Sequence, residues 1–420
     1  MATIRRGLAV GLAAASSFFA LTVDAGASPD VRYGIQDDAW LLHGEGTLES
    51  RIETLDQLGV DIVRFTVDWS AVEAWRGTHD WSRVDPVLRG LRAHGVRVVA
   101  TLYGTPRWAN GGRSANWAPA SGSTFASFAA AAAARYPWVK DWLIWNEPNQ
   151  RRWLQPTTPS TYVTKLLNPA YWAIHRASAG VRVAGGATAP RASSGGVSPV
   201  DWIRGMRAAR ARLDAYAHHP YPLSRLQTPS SGACVYCATI TMASLERLLR
   251  EVSMAWGGVM RIWLTEYGYQ TNPPDPFLGV SYATQARYVG EAAWRTFKAR
   301  NVDMLIHYLY RDEPDVAGWQ SGLLTAAGAA KPARNAFMVA AAQAYRIGLT
   351  TAVWGHVRPG EGRQYYVLQQ FRKGAWRTVN GAYRTTSRGY VYRYVRAGKG
   401  SRLRIVHTQT RTISPILQVR

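Results

Sequence analysis

From Val31 to Arg311 the chain repeats one pattern: a short apolar run, then a stretch with helical spacing. The runs are VRYGIQ (from Val31), VDIVRFTVDW (Val60), VRVVATLYG (Val96), VKDWLIWNE (Val139), VRVAGGA (Val181), LDAYAHHPY (Leu213), VMRIWLTEYG (Val259) and VDMLIHYLYR (Val302). Several show no polar alternation, as expected of parallel strands buried on both faces. Between them, TLESRIETLDQLG, STFASFAAAAAARY, TYVTKLLNPAYWAIHRA, ITMASLERLLREVSMAW and YATQARYVGEAAWRTFKAR carry apolar residues at the spacing of a one-sided helix. Ser50-x-x-Glu53 reads as a capping box at the first of these. Eight strands alternating with helices predict an α/β fold, a (β/α)8 barrel over residues 28–345. The rival, an open doubly wound sheet, would be expected to show a Gly-rich phosphate loop after an early strand, and none is found.

The pattern changes after about Tyr345. AVWGHVRPGEG, QYYVLQQFRKGAW, YVYRYVRAGKG, LRIVHT and SPILQV are short alternating runs punctuated by turn residues, which predicts a small all-β sandwich over residues 346–420. This segment holds fifteen Lys and Arg against a single acid, Glu361, and so carries most of the net charge of +23. Tyr390, Tyr392 and Tyr394 interleave with Arg393 and Arg396. Three uses fit such a module: a structural sandwich on the barrel, a binder of carbohydrate or an anionic cell-envelope polymer, or a nucleic-acid binder. No nucleic-acid recognition motif is present, so no nucleic-acid partner is expected.

At the other end, Arg5 and Arg6 precede an apolar run, Gly7 to Leu21, and an A-x-A site at Ala25–Ala27. This predicts a secretory signal peptide over residues 1–27 and an extracellular protein. The run is short for a membrane span, and no later run is long and apolar enough for one. In an exported chain, Cys234 and Cys237 in C-x-x-C read as a disulfide pinning a loop. A thiol redox pair or half a metal site are the other uses of that spacing. Trp is abundant, at 18 residues, and its flat face with one polar handle suits either sugar rings or a core.

Two apolar runs end on an acid. WLIWNEPNQ closes the fourth strand with Glu147, and RIWLTEYGYQ carries Glu266 at the end of the seventh. In a closed barrel the C-terminal strand ends face one central well. Two carboxylates across that well suit glycoside hydrolysis, one protonated to serve the leaving oxygen and one ionised. The bland use of a strand-end acid is to cap the next helix. At retaining separation, repulsion from ionised Glu266 is expected to raise the pKa of Glu147. Trp40, Trp69, Trp108 and Trp145 sit near strand ends, where sugar stacking and core packing both have a use for them. Asp37, Asp38, Glu73 and Asp312 lie on rim loops, free to bind hydroxyls or simply be solvated. The nine histidines show no metal-ligand spacing, so neither a catalytic metal nor another cofactor is expected.

W-N-E-P and T-E-Y-G resemble the retaining glycoside hydrolases of clan A. With VRFTVDWSAVE (from Val63), YGTPRWAN (Tyr103), HHPYP (His218), WQSGLL (Trp319) and KPARNAF (Lys331) in the same order, residues 30–345 look most like family 39. The resemblance implies Glu147 as general acid/base and Glu266 as nucleophile. It implies Asn146 on the sugar 2-hydroxyl, Arg64 keeping Glu266 ionised, and His219 and Tyr221 lining the well, with Tyr221 donating to Glu266. Clan A members often carry a Trp on strand eight as the sugar floor. Here the run is HYLYRDE, which leaves that place to Tyr310 or Tyr308. The expected function is that of a secreted retaining hydrolase of O-glycosidic bonds in a polysaccharide. A transglycosylase would use the same residues. A non-catalytic carbohydrate-binding protein of the envelope would be free to lose either Glu.

Overall fold

The eight apolar runs become eight parallel strands: β1 (Arg32–Gln36), β2 (Ile62–Asp68), β3 (Arg97–Tyr103), β4 (Asp141–Ile144), β5 (Arg182–Thr188), β6 (Ala215–His218), β7 (Arg261–Tyr267) and β8 (Val302–Tyr308). In the computed structural model, which describes residues 28–360 and 362–420, they close in sequence order into a barrel. Closure comes from parallel pairing of β8 with β1, with Arg32 opposite Met304 and Gln36 opposite Tyr308. The proposed signal peptide, residues 1–27, lies outside the described residues. Among the described residues no helix is long and apolar enough to cross a membrane.

Side chains on a strand alternate between its faces, and that alternation builds the barrel in layers. Ile62, Val99, Leu143, Ala215, Ala217, Trp263, Met304 and Ile306 form an apolar cluster separate from the main core. Gly34 completes that layer on β1, where a Cβ would lie 2.2 Å from the Ile62 carbonyl and 2.8 Å from Ile306 Cδ1. Moving two residues toward the C-terminal end keeps the face and changes the chemistry. Arg64 follows Ile62, Thr101 follows Val99, Thr265 follows Trp263, His219 follows Ala217 and Gln36 follows Gly34. A polar layer therefore lies directly on the apolar plug. The opposite end is tied by ion pairs, with Asp141 meeting Arg182 at 2.6 Å and Asp303 meeting Arg182 at 2.6 Å.

Helices wrap the barrel on sides where the sequence spacing places them, at Gly122–Arg135, Asn168–Ala177, Leu245–Trp256 and Tyr282–Lys298. The helix Leu48–Gln57, between β1 and β2, differs from its expected start. Its cap is Thr47, not Ser50: Thr47 Oγ1 accepts from the Ser50 N–H at 3.1 Å, and Ser50 Oγ accepts from the Thr47 N–H at 3.0 Å. Ser50 thus takes the reciprocal role that the sequence reading gave to Glu53, and the helix, Leu48–Gln57, starts before Ser50. Short helices at Asp85–Ala93, Pro199–Ala208 and Pro332–Met338 add to those read from the sequence.

Beyond the barrel, β9 (Val339–Ile347), β10 (Thr350–Val357), β11 (Tyr365–Arg372), β12 (Ala375–Arg384), β13 (Tyr390–Arg396), β14 (Arg402–His407) and β15 (Leu417–Gln418) form two antiparallel sheets. One has the order β13-β10-β9 and the other β12-β11-β14-β15. The three-stranded sheet packs on the last barrel helix through Trp354, whose ring lies 5.5 Å from those of Trp294 and Phe297. Arg358, buried, lies 4.1 Å over the Tyr33 ring and seals the seam to β1.

Candidate active site

The polar layer converges on Arg64, whose side chain is almost fully buried. Its Nη1 donates to Glu266 Oε1 at 2.5 Å and to Gln36 Oε1 at 2.6 Å, its Nη2 to Asn146 Oδ1 at 2.7 Å, and its Nε to Thr101 Oγ1 at 3.0 Å. The second oxygen of Glu266, Oε2, accepts from the Tyr221 hydroxyl at 3.0 Å. Residues from five strands or their ends thus hold one carboxylate of a sixth, with a cation on one side and a phenol on the other. Planar, always charged and multiply forked, arginine alone among side chains can serve four acceptors at once.

Glu147 arrives differently. The chain leaves β4 at Ile144, then Trp145 and Glu147 both take left-handed backbone conformations, with φ of 72° and 38°. Neither is a glycine, and such conformations cost free energy unless the surroundings enforce them. The Glu147 N–H donates to the Ala187 carbonyl at 3.0 Å and the Trp145 N–H to the Leu102 carbonyl at 2.9 Å, pinning the turn to the neighbouring strands. The result aims Glu147 back into the well. An apolar strand stops on N-E-P because this reversal requires the strand to end there.

His219 joins the two acids. Its Nδ1 lies 3.1 Å from Glu147 Oε1 and 3.5 Å from Glu266 Oε2. Its Nε2 lies 3.1 Å from Thr265 Oγ1 and 3.4 Å from Arg64 Nη1. Burial pushes the imidazole pKa down to about 3, so the ring is neutral with one N–H. The Arg64 guanidinium disfavours a proton on the neighbouring Nε2, whereas Nδ1 faces carboxylate oxygens of both acids. The proton therefore sits on Nδ1 and is donated to Glu147. Burial also pushes the Glu147 carboxyl up to about 7, with Arg64 and Arg152 acting in the opposite direction. The expected cause, repulsion from Glu266, is not the dominant one. Arg64 lies against Glu266 and balances its charge, which leaves desolvation as the dominant effect.

An oxygen of Glu147, one of Glu266 and a ring nitrogen of His219 all lie within 4.8 Å of one another, a spacing that would also admit a metal ion. The charges disfavour one. Arg64 already occupies Glu266 Oε1, the Tyr221 hydroxyl occupies Oε2, and a cation would sit beside a buried guanidinium.

Other expected positions divide. Trp145 is fully buried, its indole N–H donating to the Trp153 carbonyl at 2.8 Å and its ring 4.7 Å from Tyr103. The left-handed turn that points Glu147 inward leaves Trp145 in the core, so it is no sugar platform. Tyr310 also lies away from the acids, its ring 4.2 Å from that of Trp40. Of the two tyrosines, Tyr308 is the one beside the well: its ring stands edge-on to Tyr221, and burial, then the nearby Glu266 charge, raises its pKa. Trp108 is half-buried on Trp69, its indole N–H held by the Glu73 carbonyl at 2.8 Å. Trp69 is core, and Glu73 accepts from its indole at 2.7 Å. Asp37 caps three backbone N–H groups, of Trp40, Tyr310 and Arg311. Asp38 keeps one oxygen, Oδ1, buried without a hydrogen-bond partner; burial raises its pKa, with Arg64 lowering it and Glu266 adding to the rise. Cys234 and Cys237 are joined in a disulfide.

Trp319 is the aromatic that sequence reasoning missed as a site residue. It lies on the loop after β8, its ring 4.7 Å from Tyr221 and 5.5 Å from Tyr308. The only signal was the WQSGLL motif itself, because nothing in the loop's spacing shows where it folds. A buried ion pair anchors that loop. Lys331 Nζ lies 2.6 Å from Asp312 Oδ2 and donates to Thr271 Oγ1 at 2.8 Å and the Gln320 carbonyl at 3.1 Å. Asp312 is thus a structural acid, not a sugar ligand. Lys331→Met should strand that carboxylate and cost about 3–5 kcal/mol. Urea unfolding would read the loss, and the double variant Lys331→Met/Asp312→Leu should recover most of it.

No protein-family sequence model matches the chain, and no curated protein does. Solved structures match it over most of its length. A family 39 glycoside hydrolase from the gut symbiont Bacteroides cellulosilyticus superposes with a TM-score of 0.61 at 14% identity, covering 88% of this chain and 79% of that one. A family 39 enzyme from Xanthomonas axonopodis pv. citri gives 0.58 at 14% identity over 93% and 95%. A glucosidase from Croceicoccus marinus gives 0.60 at 12% identity over 94% and 97%. The fold is therefore one shared with solved family 39 glycoside hydrolases, and the likeness includes the region after the barrel. At these identities the comparison speaks to fold, and the chemistry rests on the site.

Proposed function

We propose that the chain is a secreted glycoside hydrolase that cleaves O-glycosidic bonds in a polysaccharide with retention of configuration. The observation that carries this reading is the approach of Glu147 and Glu266, with an oxygen of each within 4.8 Å. Retaining pairs stand about 5–5.5 Å apart, whereas inverting pairs need about 6.5–9.5 Å to admit a water. Glu266, held between Arg64 and Tyr221, attacks the anomeric carbon. Glu147, protonated below its pKa of about 7, gives its proton to the departing oxygen. The product of this step is an ester between Glu266 and the sugar. Esterification removes the negative charge that balanced Arg64. The guanidinium then acts on Glu147 unopposed and lowers its pKa, turning it into the base that draws a proton from the incoming water. The Nδ2 of Asn146, whose Oδ1 is taken by Arg64, suits a sugar hydroxyl near the reacting carbon. Trp319 and Tyr308 supply the aromatic surface that a strand-eight Trp would otherwise provide.

Release of reducing ends across neutral and acidic polysaccharides, with Glu266→Gln as the blank, tests the activity. Proton NMR of the first-formed anomer tests the stereochemistry, and an inverted product would sink the two-step reading. Arg64→Lys keeps the charge but cannot fork. One lost charge-assisted hydrogen bond is worth about 1.5–3 kcal/mol, so kcat/KM should fall by roughly 10- to 100-fold on the polymer that the wild type cleaves.

A further inference from the structure

The four-stranded sheet of the C-terminal module turns one face to solvent. Register places Phe371 opposite Trp376, and Gln369 opposite both Thr378 and Arg404. Residues paired in this way share a face. On that face, Arg402 lies 3.7 Å over the Phe371 ring, Arg404 lies 4.2 Å over the Trp376 ring, and the two rings stand 5.4 Å apart. Arg404 is further fixed by its Nε, which donates to Gln369 Oε1 at 2.8 Å. At the far end of the same strand pair, Arg384 lies 4.8 Å over Tyr365. Among the described residues the module's arginines make one ion pair, from Arg388 to Asp30. Glu361 is the only acid from Arg346 to the end of the chain.

These are unusual terms for surface arginines. A solvated arginine is flexible, and ordering it on a ligand costs entropy. Here the rings hold the guanidinium groups flat and leave hydrogen-bonding edges without a carboxylate. Among the described residues, no acid of the module lies against them. A row of fixed, unneutralised forks on a flat sheet matches a polymer that repeats carboxylates or sulfates along an extended backbone.

We propose that this face, centred on Phe371, Trp376, Arg402 and Arg404, is a docking surface for an acidic polysaccharide. It lies on the outer sheet of the sandwich, which the three-stranded sheet separates from the barrel, so docking tethers the protein without occupying the well. The preference for a glycan over another polyanion rests on the proposed glycosidase activity. The surface itself does not.

Affinity electrophoresis of the mature chain in gels cast with polygalacturonate, alginate or neutral dextran is the test, with duplex DNA as competitor. Glu266→Gln serves as the starting protein, so that failure of the glycosidase reading leaves this result readable. The expected outcome is retardation by the two polyuronates and not by dextran. Arg402→Gln/Arg404→Gln should weaken it at least tenfold, and Trp376→Ala, which leaves the charge intact, should weaken it severalfold. A charge-matched control, Arg83→Gln/Arg89→Gln, on an exposed part of the barrel, should change little. Equal loss in both double variants would reduce the effect to bulk charge and overturn the proposal. Displacement by DNA at lower charge concentration than by polyuronate would overturn it in favour of nucleic acid.

Discussion

Glu266→Gln is expected to lower kcat on any cleaved glycoside by at least about 10^4-fold. The amide is nearly the same shape and keeps a hydrogen-bonding oxygen, but it cannot form the ester that divides the reaction in two. A variant that retained more than about 1% of wild-type turnover would place the nucleophile elsewhere. The substitution also removes the counter-ion of a buried guanidinium, and stranding such a charge is costly in general. Arg64 is unusually well provided against this, with the oxygens of Gln36, Asn146 and Thr101 still accepting from it. A thermal melt should therefore show a folded protein. Glu266→Asp supplies the second arm, since it keeps the charge and withdraws the carboxylate by one methylene. It should remain folded and still lose most of its activity, because attack requires a near-contact geometry. Loss in both variants with folding intact separates a chemical role from a structural one.

How much of this site could be read in advance follows from periodicity. Arg64, His219 and Glu266 sit on or beside strands whose apolar pattern is plain, and a parallel barrel brings strand ends together whatever the loops do. The polar layer that supports them, Gln36, Thr101 and Thr265, obeys the same two-residue alternation. It was missed because isolated Thr and Gln residues carry no signal until the apolar plug beneath them is located. Trp145 and Tyr310 failed for the opposite reason. Each stands within two positions of a site residue in sequence, but a left-handed turn places Trp145 in the core, and the chain beyond Tyr308 leads Tyr310 onto Trp40. Trp319 and the Lys331–Asp312 pair depend on a long loop folding back, which no local pattern encodes. In the module, β9 hid in VAAAQAYRI, an alanine-rich run with helical propensity that becomes a strand because β10 pairs with it.

The second large effect separates leaving groups. Glu147→Gln should lower kcat/KM about 10^2- to 10^4-fold on natural linkages, whose departing alkoxide needs a proton. On aryl glycosides with strongly acidic phenols the first step needs no proton, so kcat/KM should be nearly unchanged. The second step still lacks its base. Such substrates should give a burst of phenol followed by a stall, with the intact protein heavier by one glycosyl unit. The pH profile carries an independent signature. Burial holds the Glu147 carboxyl at about 7, above its ordinary range, and the protonated form is the active one in bond cleavage. Wild-type kcat/KM on natural linkages should therefore fall about tenfold per unit once pH rises beyond about 7, while the acid limb reports ionisation of the nucleophile. In Glu147→Gln that alkaline limb should vanish, because glutamine has no proton to lose. Should the limb persist in the variant, the titrating acid is another group, and the well contains a named alternative: Asp38, whose unpartnered oxygen is buried within the influence of Arg64 and Glu266. The two acids then part on leaving-group dependence, since only a proton donor to the glycosidic oxygen makes the penalty grow with the basicity of the group that leaves.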